Sequence, residues 1–226
     1  MTAQSTAVLD AAASTTRPRI LDAALTLFAD RGYERTSVRQ ICAAAGANVA
    51  AVNYHFGSKR ALYDAAIDFA RAEANVRNPY VQLDRNRDFW KTEAPAERLR
   101  LFIAMMVAHG FDDDGRTSAL VRLVAHELIT PTDAYERQVQ ISINRVWNAL
   151  RDLCRELMGP QADDDTVTRM ALQINGQCQY PALMAEPTRH MSPTVTLDRA
   201  GQEVFAHEVY TAALAGLRAV AAAMAD

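Results

Sequence analysis

The stretch "TSVRQICAAAGANVAAVNYHFGSKRALY", residues 36–63, constrains this chain more than any other, because it sets three helix starts against two glycine stops. Thr36 or Ser37 can cap the first helix, and Ser37 with Gln40 has capping-box spacing. Gly46 closes that helix, and Asn48 caps a very short one over about residues 49–54. Gly57 breaks the chain again, and Ser58 caps a longer helix with Leu62, Ala66 and Phe69 on one face. Residues 36–55 therefore have the proportions of a helix-turn-helix. Gly46 gives the turn a residue without steric cost. Ala43, Ala44 and Ala45 let the helices cross closely, and Val38, Ile41 and Val52 suit their shared core.

A further helix is expected ahead of this unit. In "TTRPRILDAALTLFADRGY" Thr16 can cap, Pro18 fits a first turn, and Ile20, Ala24, Leu27 and Phe28 recur at helical spacing up to Gly32. Residues 1–14, rich in Ala, Ser and Thr, read as a disordered arm. That gives a helix-turn-helix domain over 15–75 and a second domain over 76–226. In the second, helical periodicity covers about 96–110, 118–129, 133–158, 163–184 and 201–222. Residues 75–96 read as irregular, "DDDG" at 112–115 as a turn, and "EPTRHMSPTVT" as a loop. No strand pattern and no repeat is found, so the fold class expected is all-α with about nine helices.

Composition narrows the function. Only 9 Gly and 8 Pro occur in 226 residues, which favours helices. The net charge of −3 is uneven: residues 17–63 carry seven basic and three acidic side chains, a balance of +4, against −7 elsewhere. A basic head on an acidic body suits an anionic partner. The scattered Cys42, Cys154 and Cys178 suggest reduced thiols in a cytoplasm, not a disulfide framework or a zinc site. The uncharged run over residues 170–185 is too polar for a membrane span, and no secretory signal is seen. His109, His126 and Glu127 lack metal-ligand spacing, and Cys178 in "INGQC" has no identifiable partner His. The alternative of a small helical enzyme using a pocket in the second domain would need a positioned base and nucleophile, or a cofactor motif. Neither is found, so no catalytic residue, metal or cofactor is expected.

The polar residues of the head fit double-stranded DNA. A helix in the major groove offers its N-terminus and one face, and phosphates are bound by cationic and hydroxyl side chains and by N–H groups at helix starts. Thr36 and Ser37 stand at one helix start, Asn48 at a second, and Ser58 with Lys59 at a third. Arg39, Asn53, Tyr54, His55 and Lys59 supply donors, and Asn53 can also pair with a base edge.

The segment "ILDAALTLFADRGYERTSVRQICAAAGANVAAVNYHFGSKRALYDAAI" resembles the TetR family of bacterial transcriptional regulators. The resemblance implies an N-terminal DNA-binding domain and a helical ligand-binding and dimerisation domain. By position it puts DNA contacts at Thr36, Ser37, Arg39, Val49, Ala51, Asn53, His55 and Lys59. Many members carry Tyr where this chain has Asn53, which makes Tyr54 a partial substitute. "VAHELITPTDAYERQV" and "INGQCQYPALM" resemble the C-terminal domain of CecR-like members. The family pattern implies a homodimer through the last two helices, about 163–184 and 201–222, a palindromic operator and repression. It also implies a small apolar or amphipathic effector, in a pocket for which Phe102, Met106, Arg122, His126 and Trp147 are the candidate lining.

Overall fold

A computed structural model of the chain describes residues 3–77, 93–111, 117–136 and 140–224; for 3–15, 73–77, 141 and 142 only the backbone is described. Among the described residues there are ten helices and no strand. They are α1 (Ala3–Arg35), α2 (Val38–Ala45), α3 (Val49–Phe56) and α4 (Lys59–Arg77), then α5 (Pro95–Gly110), α6 (Ala119–Ile129) and α7 (Gln140–Met158). The last three are α8 (Asp164–Leu183), α9 (Ala185–Met191) and α10 (Arg199–Ala223). No described helix is long and apolar enough to cross a membrane. The turn expected at 112–115, Phe89 and Trp90, and residues 137–139 of the helix expected over 133–158 lie outside the described residues.

Two elements differ from the sequence expectation. Helix α1 begins at Ala3, so the segment read as a disordered arm continues the first helix through Pro18. Ala3, Ala7 and Ala11–Ala13 are strong helix formers, and no glycine interrupts the chain before Gly32, whose φ of 76° and ψ of 172° kink it. Pro18 removes one backbone donor but does not end the helix. The second difference is α9, inside the stretch read as a loop. Its Pro187 stands in the first turn, where a missing N–H leaves no hydrogen bond unmade.

Apolar side chains gather in two clusters. The head cluster joins Ile20, Ala24, Phe28, Ile41, Val52, Leu62 and Tyr63 from α1 to α4. The body cluster joins Phe102, Ile103, Leu150, Cys154, Val167, Ile174 and Leu217 from α5, α7, α8 and α10. Each fully buried aliphatic or aromatic side chain of this size stabilises by about 1.5–3 kcal/mol. The chain cannot hold helices as short as α2 and α3 by backbone bonds alone, so packing on α1 and α4 keeps them formed.

Helix α6 belongs to both clusters. Leu120 and Leu123 enter the head cluster and Val121 the body cluster. Polar contacts follow the same seam. Arg122 pairs with Asp30 of α1 at 2.7 Å, and His126 Nε2 lies 3.2 Å from the Ala29 carbonyl. Glu127, 1 % exposed, accepts hydrogen bonds from the Tyr63 hydroxyl at 2.7 Å and from Thr132 N at 3.0 Å. The Thr132 hydroxyl donates to the same carboxylate at 3.0 Å.

All three cysteines are buried free thiols. Burial raises the Cys42 thiol and pushes Cys154 and Cys178 up to about 12. Thiolate is the reactive form, so Cys154 and Cys178 should resist alkylation near pH 8 until denaturant is added. Mass spectrometry of iodoacetamide-treated native protein checks this, and rapid labelling at either site would contradict it.

Candidate nucleic-acid interface

The expected helix starts are built from the residues named for them. Ser37 caps α2: its hydroxyl accepts from Gln40 N at 3.3 Å, and the Gln40 side chain accepts from Ser37 N at 2.8 Å, completing the capping box. Gly46 follows in the left-handed region at φ 58°. Asn48 caps α3, its Oδ1 accepting from Ala51 N at 2.8 Å, which leaves the amide NH2 as a donor. Ser58 Oγ accepts from Ala61 N at 3.1 Å at the head of α4. Each cap exposes the positive end of a helix, where anions are favoured.

Helix α3 has one anchored side. Val52 is fully buried, Ala51 and Phe56 pack partly against the head cluster, and Asn53 is exposed. Val49 is 42 % exposed and Tyr54 82 % exposed. The Tyr54 ring touches its own chain edge-on at His55, with ring centroids 5.0 Å apart. Arg39 is exposed on α2, and His55 is half-buried.

Thr36 departs from the expectation. It is 1 % exposed, and its hydroxyl donates inward to the Gly32 carbonyl at 2.8 Å. The kink at Gly32 leaves the last carbonyls of α1 without helical partners, and the Thr36 hydroxyl satisfies one. Its side chain is therefore a staple inside the head and is not available to DNA. Lys59 is half-buried, with its ammonium 4.1 Å from the centre of the Tyr33 ring.

Two cations had no role in the sequence beyond their charge. Arg19 of α1 donates to the Ala45 carbonyl and, at 3.0 Å, to the Gly46 carbonyl, so it grips the negative end of α2 at the turn. Arg17 lies over the Phe56 ring at 5.3 Å. These contacts span 26 residues or more, and no local spacing signals them.

The five candidate pocket residues are not brought together. Phe102 and Met106 are buried in the body cluster, and Trp147 packs half-buried against it. Arg122 and His126 face α1 instead. None of the five lines the two surface hollows described. One, of about 410 Å³, lies between α8 and α10 against Gln177, Tyr180, Pro181, Phe205, Glu208 and Val209. The other, of about 270 Å³, is bounded by Arg100, Ala104, Glu203, Ala206 and His207. Helical spacing marks apolar positions, but it does not distinguish a core wall from a pocket wall.

Comparison with known proteins agrees with this architecture. Residues 20–66 match the family profile of bacterial regulatory proteins of the tetR family. Residues 95–217 match the profile of the C-terminal domain of the HTH-type transcriptional dual regulator CecR. The nucleoid occlusion factor SlmA of Escherichia coli O9:H4 (strain HS) is 26% identical over 158 residues, covering 69% of this chain and 75% of that protein. A crystal structure of a HlyIIR mutant protein superposes with a TM-score of 0.61 at 20% identity, covering 88% of this chain and 97% of that one. A TerR/AcrR-family transcriptional regulator from Aquifex aeolicus VF5 gives a TM-score of 0.51 at 16% identity, covering 91% and 99%. With a matching head and a C-terminal match over more than half its length, this chain belongs to the TetR family of bacterial DNA-binding transcriptional regulators and carries a CecR-type C-terminal domain.

Proposed function

We propose that this protein is a homodimeric, effector-responsive repressor that reads a palindromic operator with α3 in the major groove. The observation that carries this is the outer side of α3: Tyr54 is 82 % exposed and Asn53 is exposed, while Val52 behind them is fully buried. A large aromatic in that position gains almost nothing from its own chain, and a partner surface explains it. In this reading Val49, Ala51 and Asn53 face base edges, and Tyr54, His55, Arg39, Ser37, Asn48 and Lys59 meet phosphates. Two heads in a dimer would meet half-sites roughly 34–36 Å apart.

An apolar or amphipathic effector would act by favouring a second arrangement of the body. Helix α6 is the element through which such a change reaches the head, since Arg122 and His126 hold α1 and Glu127 holds α4.

Selection of bound genomic fragments, followed by anisotropy titration of operator against random duplex, tests the reading. A preference on the order of 10³ for a palindrome is expected. Equal affinity for all duplexes would favour a second reading, a nucleoid-associated binder with no effector, which the similarity to a nucleoid occlusion factor makes relevant. Lys59→Ala should weaken binding to any duplex and lower the salt slope by about one ion. An unchanged slope would count against Lys59 as a phosphate contact.

A further inference from the structure

The first turn of α4 carries two adjacent cations that the structure treats differently. Arg60 also lies over the Tyr33 ring, 5.6 Å from its centre, but it is 3.1 Å from Asp133 and 3.9 Å from Asp64, so carboxylates answer its charge. Among the described residues no carboxylate pairs with Lys59. Its ammonium sits 4.1 Å from the centre of the Tyr33 ring, well inside the range of a cation–π contact. The ring is itself held in place. Its centre is 5.0 Å from that of Tyr63 and 6.1 Å from that of Phe28, which stacks on it, and the Tyr63 hydroxyl is fixed on the buried Glu127 carboxylate.

An ion pair holds a cation and cancels it. An aromatic face holds a cation and leaves its charge intact. A lysine free to sample its rotamers must give up that freedom on meeting a phosphate, whereas one already placed gives up less. From this geometry we infer that Tyr33 is a positioning residue: it presents the uncancelled Lys59 ammonium to the DNA backbone. The inference rests on Lys59 being a phosphate contact, as proposed above.

The test is a double-mutant cycle on the full-length protein, read by anisotropy on one random-sequence duplex at fixed salt. Y33L should weaken binding about 2–5-fold, on the scale of a surface cation–π contact, and Y33F, which keeps the ring, should bind like the parent. In the K59A background Y33L should have little further effect. An equal loss from Y33L in both backgrounds would make Tyr33 a merely structural residue and overturn the inference. So would a loss in Y33F as large as in Y33L. If K59A alone leaves binding and salt slope unchanged, the phosphate contact itself is what fails. Should Y33L not fold, NMR of the unaltered protein decides: ring current should move the Lys59 ε-methylene protons upfield, and ordinary shifts there would overturn the placement.

Discussion

Glu127→Leu should cost the protein about 2–4 kcal/mol and lower its melting temperature by roughly 5–15 °C. The carboxylate is 1 % exposed and accepts from the Tyr63 hydroxyl and from both the N–H and the hydroxyl of Thr132. Leucine fills the space but leaves the fully buried Tyr63 hydroxyl without an acceptor and takes the acceptor from the half-buried Thr132, and unmet buried donors account for most of such losses. Tyr63→Phe removes one donor with its bond and should cost less. An E127L protein that melts with the parent would show that these bonds add no stability.

The same contact has a pH signature. Burial first, and then the hydrogen bond to Glu127, raises the Tyr63 hydroxyl above its ordinary value near 10. A raised acid group in the folded state means that its contribution is fully present below about pH 10 and is lost as pH rises further, when the unfolded chain ionises first. Alkaline unfolding should therefore show a component that Tyr63→Phe abolishes. The parent and the variant losing stability in parallel above pH 10 would sink this.

The second large effect is expected at the proposed dimer face. Leu172 and Val204 replaced together by glutamate should give a monomer whose operator affinity is lower by about 100-fold or more, because the second half-site no longer binds as part of one molecule. On α8, Leu172, Gly176, Tyr180 and Leu183 form an exposed stripe, and on α10 Val204, Ala212, Ala215 and Ala219 form another. The hollow at Tyr180 and Phe205 lies between them. A Cβ added at Gly176 would meet nothing of its own chain within 4 Å, so the small residue leaves room for a neighbour outside it. Both substituted side chains are exposed, at 56 % and 60 %, so the monomer should keep its fold. Light scattering behind size exclusion measures the mass, and a variant still dimeric with parental affinity would remove this face from the interface.

The head was legible because its signals are local. Ser37 with Gln40, Gly46, Asn48 and Ser58 each act within one helical turn, and each does in the fold what its spacing predicts. Spacing did not show the direction of a side chain. Thr36 looks like a helix cap facing solvent, yet its hydroxyl turns inward to the Gly32 carbonyl in the last turn of α1. Arg122 and His126 look like polar groups lining a pocket, yet in the fold they hold α1, and Glu127 beside them holds α4.

The sequence by itself determined the short helices α2 and α3, the caps at Ser37, Asn48 and Ser58, the tight turn at Gly46 and the family, because these depend on residues a few positions apart. Only the tertiary structure decided what α6 does, that Arg19 grips the turn, and that Lys59 rests on Tyr33. Those are contacts between residues 26 or more apart, made when packing brings distant faces together, and no local pattern encodes which faces meet.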